Sequence, residues 1–277
     1  MNFWRPIDGA RTAWAGGPSV VTIGTFDGVH RGHQYVLGRA RDLSESLGPG
    51  ARLPVLAVTF DPHPMRVFAP DRAPVQVTSV GRRIELLKAA GADEVLVLAF
   101  DRQMAALTPQ EFVERVLVDE LHVAGVVVGE NFRFGARAAG DVGFLRECSL
   151  RYGFSVVGLE LEGAEQPWSS TYVRAAIADG DVAEAARALG RFHAVGGVVV
   201  EGDRRGREMG FPTANVPAST EVAVPADGVY AGWLRRLDVD GAPMPAAISV
   251  GTNPTFDGVE RRVEAYVLDR DDLELYG

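Results

Sequence analysis

The stretch "VTIGTFDGVHRGHQYVL", residues 21–37, decides the fold. It opens as a run of buried-strand residues and closes with the apolar spacing of a helix. Between them fall Gly24, Gly28 and Gly32, with Asp27, His30 and His33. A helix N-terminus offers unpaired N–H groups and a positive dipole end, so such a turn favours an anion. Gly28 and Gly32 let the backbone approach a polyphosphate closely. His30 and His33 are three apart, so both rings can face one side of the first helical turn. Two imidazoles there can donate hydrogen bonds to phosphoryl oxygens and stabilise charge growing on them.

Outward from this stretch, apolar runs and amphipathic runs alternate. Strands are expected at 19–24, 55–60, 94–100, 124–129 and 154–161, and helices at 34–47, 80–91, 109–121 and 143–153. Continuous apolar strands alternating with helices predict a Rossmann-like α/β domain, a parallel sheet covered on both faces. In such sheets ligands bind outside the carboxyl ends of the strands. The unusual residues fall there: 24–33, "DPHP" (61–64), "GENFRFG" (129–135) and "PWSSTYVR" (167–174). After Gly190 helical periodicity gives way to short strands between Gly, Pro and Asp-Gly turns, which predicts a small antiparallel β-barrel. A helix at 181–191 joins the two, and the boundary is set at residues 187/188, giving domains 1–187 and 188–277.

The 277 residues suit two ordinary domains, and 47% hydrophobic content is enough for real cores. The net charge of −9 disfavours nucleic acid and anionic membrane as partners. One cysteine, Cys148, permits no intrachain disulfide and reads as a small buried residue, which fits the cytoplasm. "MNFWRPIDGA" has no basic segment followed by a long apolar run, so no secretory signal is expected, and no apolar stretch reaches bilayer length.

Other phosphate and metal motifs are excluded or weak. Lys88, the only lysine, sits mid-helix outside any Gly-Lys-Ser/Thr run, so there is no Walker loop. No G-x-G-x-x-G follows the first strand. His30, His33 and His63 could meet at zinc, but the sequence has no cysteine cluster and no His-Glu-x-x-His.

"GTFDGVHRGH" (24–33) resembles the His-x-Gly-His signature of nucleotidyltransferases, in the version carried by prokaryotic FAD synthetases. "TFDPHP", "VGENFRFG" and "SSTYVR" match that family in order and spacing. "GDRRGREMGFPTANV", "GVYAG", "SVGTNPTF" and "VEAYVLD" resemble the riboflavin kinase module. The whole chain is thus similar to the bifunctional riboflavin kinase/FAD synthetase family.

The resemblance implies adenylyl transfer from ATP to FMN in the first domain, giving FAD and pyrophosphate without a protein nucleophile. His30 and His33 would hold the ATP phosphates and stabilise the transition state, with Gly24, Phe26, Gly28 and Gly32 around the nucleotide. Ser170 and Thr171 would bind phosphate and Arg174 would neutralise it. Asn131 would position FMN or the triphosphate, and Phe60 and Phe132 would wall the flavin. In the second domain riboflavin would be phosphorylated. Gly202, Arg207 and Gly210 would cradle ATP phosphates, Thr213 and Asn215 would hold Mg²⁺, and Glu264 would be the general base. The resemblance also implies a further strand and a helix after "DLELYG". A single-activity transferase with an inert barrel is the alternative, against which "GFPTAN" stands. A non-catalytic flavin or nucleotide sensor would have no need of Glu264.

Overall fold

The computed structural model describes residues 3–48, 50–160, 168–201, 212–255, 258–270 and 272–277, with side chains omitted at 253–255 and 258–260. Two compact units result: Met1–Ser170 with Ala188–Gly190, and Thr171–Arg187 with Arg191–Gly277.

In the first unit, β1 (Ser19–Ile23), β2 (Val55–Asp61), β3 (Glu94–Ala99), β4 (Val123–Gly129) and β5 (Ser155–Leu159) form one parallel sheet in the order β3-β2-β1-β4-β5. Val21 pairs with Leu56 on one side and with Val126 on the other, so β1 lies at the centre. Successive side chains of a strand point to opposite faces. Val21 and Ile23 join Leu56, Val58 and Leu96 on a face filled by Phe112, Leu117 and Leu145. Val20 joins Val55, Ala57 and Val95 on the other face, filled by Leu37, Ile84 and Leu87. Burial on both faces is why the strands read as unbroken apolar runs.

The helices begin where their caps say they should. Crossing β1 to β2 is α1 (Arg31–Leu47), and α2 (Pro64–Phe68) is a short turn capped by His63, whose Nδ1 accepts the Met65 N–H at 3.1 Å. Ser79 caps α3 (Val80–Ala89). After the short α4 (Arg102–Ala106), Thr108 and Glu111 close a capping box on α5 (Pro109–Phe112), which continues as a π-helix over Val113–Glu120. Asp141 caps α6 (Val142–Tyr152), which Gly153 ends in the left-handed conformation at φ 76°.

Two further helices follow, α7 (Ser170–Ala178) and α8 (Val182–Leu189). The second unit's sheet is antiparallel: β6 (Thr213–Pro217), β7 (Gly228–Leu234), β8 (Met244–Thr255) and β9 (Gly258–Val267), in the order β6-β9-β8-β7. Of the short strands expected after Gly190, the described residues before β6 show a bridge in which Val200 N–H donates to the Asn215 carbonyl at 2.9 Å. Gly196 and Gly197 contribute no side chain to a strand there and carry the largest ordering entropy.

Candidate active sites

The chain runs from β1 to β2 on one side and later returns to β4 on the other. The carboxyl ends of β1 and β4 therefore flank the topological switch point, where an open α/β sheet leaves a crevice. Both flanking loops carry sequence-predicted residues: 24–33 after β1 and 130–135 after β4.

The first loop is wound tightly. Phe26, Gly28 and Val29 all have left-handed φ angles, 49°, 82° and 42°. A Cβ on Gly28 would also come to 3.0 Å from Val77 Cγ1, so both conformation and space require glycine. The buried Asp27 carboxylate ties the loop down by accepting the N–H groups of Val77, at 2.8 and 3.0 Å to its two oxygens, and of Thr78 at 3.2 Å. Gly28 N–H donates to Thr78 Oγ1 at 3.3 Å.

The loop delivers His30 to the N-cap of α1, where its side chain makes no capping hydrogen bond. His33, on the first turn, stacks on it at 3.6 Å between ring centroids and 24° between planes. Phe26 meets His33 edge-on at 5.1 Å. A Cβ on Gly32 would stand 3.1 Å from His30 Cε1 and 3.4 Å from the Trp168 carbonyl, so glycine leaves room for the ring. His33 Nδ1 is buried with no hydrogen-bond partner among the described residues. Burial holds the His33 pKa well below the ordinary histidine range, and repulsion from His30 and Arg83 adds to that. The ring is therefore neutral at physiological pH and retains one N–H to donate.

Of the other predicted residues, Ser170 is drawn to the same loop: its hydroxyl donates to the Asp27 carbonyl at 2.8 Å. Gly24 lies at the loop's start, with the Phe26 ring 3.4 Å from where its Cβ would be. Phe60 is half-buried at the end of β2 and meets Phe100 edge-on at 5.6 Å. Phe132 is half-buried and stacks on Phe134 at 5.5 Å, beside an exposed Asn131. Thr171 and Arg174 belong to the second unit, where Arg174 Nη2 donates to Thr171 Oγ1 at 3.3 Å. His63 is engaged as the α2 cap, and among the described residues no three His, Cys, Asp or Glu side chains converge on a metal position.

In the second unit the register of β6 and β9 sets Asn215 opposite Glu264 and Thr213 opposite Tyr266. Ser249 of β8 faces Glu264 from the other side. Directly opposite residues of an antiparallel pair share a face, so Thr213, Asn215, Ser249 and Glu264 project together. Their neighbours Val216, Val250 and Val263 turn to the opposite face. Asn215 is buried, and its Nδ2 donates to the Thr213 carbonyl at 3.2 Å. That bond leaves the amide oxygen as the acceptor to offer a ligand. Gly202, Arg207 and Gly210 lie outside the described residues.

The sequence alone assigns no role to two residues that hold this loop, Asp27 within the motif and Arg83 on α3. Arg83, 1% exposed, is the largest fully buried side chain among the described residues. The signal was present: Val80, Arg83, Ile84 and Leu87 fall at the spacing of an apolar helix stripe, with a cation in one place.

A doubly wound sheet with a histidine pair at its switch point, in one chain with an antiparallel sheet presenting oxygen donors and a carboxylate, defines a two-domain nucleotide-handling protein of the transferase type. Family models agree, FAD synthetase matching residues 14–172 and riboflavin kinase matching residues 189–277. The chain is 42% identical over 260 residues to a bifunctional riboflavin kinase/FMN adenylyltransferase of Escherichia coli, covering 93% of this chain and 80% of that one. A Pseudomonas fluorescens protein of the same name is 39% identical over 254 residues, covering 90% and 78%. Among solved structures, a Streptococcus pneumoniae protein described as a macrolide-efflux protein superposes with a TM-score of 0.81 at 32% identity, covering 96% of this chain and 84% of that one. Among the described residues here, no helix is long and apolar enough to cross a membrane. The chain belongs to the bifunctional riboflavin kinase/FMN adenylyltransferase family, with both enzymatic domains present.

Proposed function

We propose that the first domain, residues 1–187, transfers AMP from ATP to FMN, and that the second, residues 188–277, phosphorylates riboflavin to FMN. The observation that carries the first half is the stacked His30–His33 pair at the N-terminus of α1, on the ligand edge of the sheet. ATP phosphates lie against the loop amides and the helix end. The FMN phosphate oxygen attacks the α-phosphorus in line, the bond to the bridging oxygen breaks, and pyrophosphate leaves. No side chain forms a covalent bond; catalysis is positioning plus charge stabilisation. The neutral His33 and its neighbour His30 donate to phosphoryl oxygens as charge builds there. Ser170, drawn to the same loop, binds phosphate, and Thr171 and Arg174 are assigned to phosphate on the family resemblance alone. Phe60 and Phe132 flank the flavin, and Asn131 positions FMN.

In the second domain Glu264 takes the proton of the riboflavin 5′-hydroxyl, whose oxygen attacks the γ-phosphorus of ATP while ADP leaves. Thr213 and Asn215 would hold Mg²⁺, which supplies neutralising charge for the ATP phosphates. The donor set fits: neutral oxygens at alternate positions of one strand, opposite a carboxylate, leave room for the phosphates and waters that magnesium keeps. The glycine-rich stretch with Gly202, Arg207 and Gly210 cradles those phosphates. Riboflavin, FMN and ATP are the partners, and the cytoplasm, where they are made, is the location.

Incubation with riboflavin, ATP and Mg²⁺, followed by separation of riboflavin, FMN and FAD, tests both halves. A parallel reaction started from FMN isolates the second step. FAD from FMN but none from riboflavin would leave only the adenylyltransferase half. No FAD from FMN would overturn the reading of the histidine site.

A further inference from the structure

Arg83 is buried to 1% exposure beneath the histidine site, and the proposed chemistry does not use it. Its guanidinium is held by neutral groups only. Nη1 donates to Thr59 Oγ1 and to the Phe60 carbonyl, each at 3.2 Å, and Nη2 donates to Gln76 Oε1 at 2.5 Å. Nε is buried and has no partner among the described residues. No carboxylate lies within ion-pair distance of Arg83 among the described residues, although Asp27 and Asp61 act on it from farther away. A buried cation ordinarily carries a paired anion, because desolvating a charge costs several kcal/mol. This one is left with neutral acceptors next to a site suited to polyphosphate.

The acceptors are also informative. Thr59 Oγ1, which receives Arg83, donates in turn to the Thr25 carbonyl at 2.9 Å. Thr25 precedes Phe26, the ring set edge-on against His33. Gln76, which receives the other arm, precedes Val77 and Thr78, whose N–H groups hold Asp27. Arg83 therefore clamps the loop that carries both histidines from two directions.

We propose that Arg83 is a positioning residue for adenylyl transfer: its planar fork fixes the histidine loop through Thr59 and Gln76, and its unneutralised charge supplies a fixed positive field behind the phosphate site. This rests on the reading of His30 and His33 as phosphate ligands. The field acts on His33 as well as on the substrate. The titratable groups that bear on His33 are His30 from the loop and Arg83 from α3, and both keep it neutral. Removing the Arg83 charge lets His33 protonate at higher pH, so an activity that requires the neutral ring loses its acid side sooner.

The test is steady-state FAD formation from supplied FMN and ATP, from about pH 5 to about pH 9, for the wild type, Arg83→Gln, Arg83→Lys, Thr59→Val and His33→Ala. Arg83→Gln is expected to lower kcat by about 10²-fold, the usual worth of a preorganised charge. Its acid limb should move up toward the ordinary histidine value of about 6.5. Arg83→Lys keeps the charge and loses the fork, so kcat falls while the limb stays. Thr59→Val also leaves the limb in place.

An Arg83→Gln enzyme with unchanged limb overturns the proposal, whether its kcat holds, leaving no role, or falls, leaving a structural one. If Arg83→Gln does not fold, the His33 titration followed by NMR in Arg83→Lys and Arg83→Met decides. A His33 pKa held lower in Arg83→Lys than in Arg83→Met supports the proposal, and equal values in the two overturn it, because burial alone would then keep the ring neutral. His33→Ala separates the two readings. Full activity there removes the histidine site itself, whereas a drop there with an unaffected Arg83→Gln removes only Arg83.

Discussion

Asn215 and Glu264 stand directly opposite each other in the β6–β9 ladder, so the amide and the carboxylate occupy one face of the second sheet. That pairing sets an amide beside a carboxylate across a single strand spacing, and in the proposed reaction the carboxylate is the proton acceptor. Glu264→Gln preserves size and hydrogen bonding but removes the acceptor. FMN formation by the full-length protein should drop by about 10²–10⁴-fold, with FAD formation from supplied FMN unchanged. Product analysis of both reactions checks this. Undiminished FMN production would take Glu264 out of the mechanism.

His30→Ala or His33→Ala should lower FAD formation by about 10²-fold or more, the cost of losing one donor to developing charge. Riboflavin phosphorylation should survive, because its residues lie on the other sheet. Equal loss of both activities in a folded variant would contradict two separate sites.

Gly28→Ala places a side chain at φ 82° and within 3.0 Å of Val77. The strain should cost about 1–3 kcal/mol and loosen the loop that Asp27 anchors. Thermal unfolding should shift down and the KM for ATP in FAD formation should rise. A variant with wild-type melting and wild-type KM would show that the loop tolerates another course.

The neutral His33 also makes stability depend on pH. Its folded pKa lies below the unfolded value of about 6.5, because burial disfavours the charged ring. Below that pH the unfolded chain binds a proton that the folded chain refuses, so stability is full above about 6.5 and declines as pH falls toward the folded pKa. His33→Gln cannot titrate and should show a shallower loss of melting temperature across that window. Parallel slopes for the two proteins would mean that His33 does not titrate between the folded and unfolded states.

The strands of the first sheet were legible because burial on both faces leaves no polar alternation to confuse them. The positions of His30 and His33 were legible because a strand-to-helix turn can point only one way. Arg83 escaped because a charged residue on an apolar stripe looks like a break in the pattern until its acceptors, Thr59 and Gln76, are brought in by folding. The β6 strand escaped because "TANVP" reads as a ligand motif, and its pairing with β9 depends on residues almost fifty positions away. Long-range register is not written in local propensity.

β1 is hydrogen-bonded on both sides and fully buried along its length, whereas β5 pairs only with β4. Amide hydrogen exchange follows the free energy of the opening that exposes each group. The N–H groups of Val20 to Ile23 should therefore be among the slowest to exchange, and those of β5 should go first. The turn that holds the histidines springs from the last part of the sheet to open. Fluctuations that peel away the sheet's outer strand would leave the histidine turn in place, so under the proposed function the margin can breathe while the phosphate site keeps its shape.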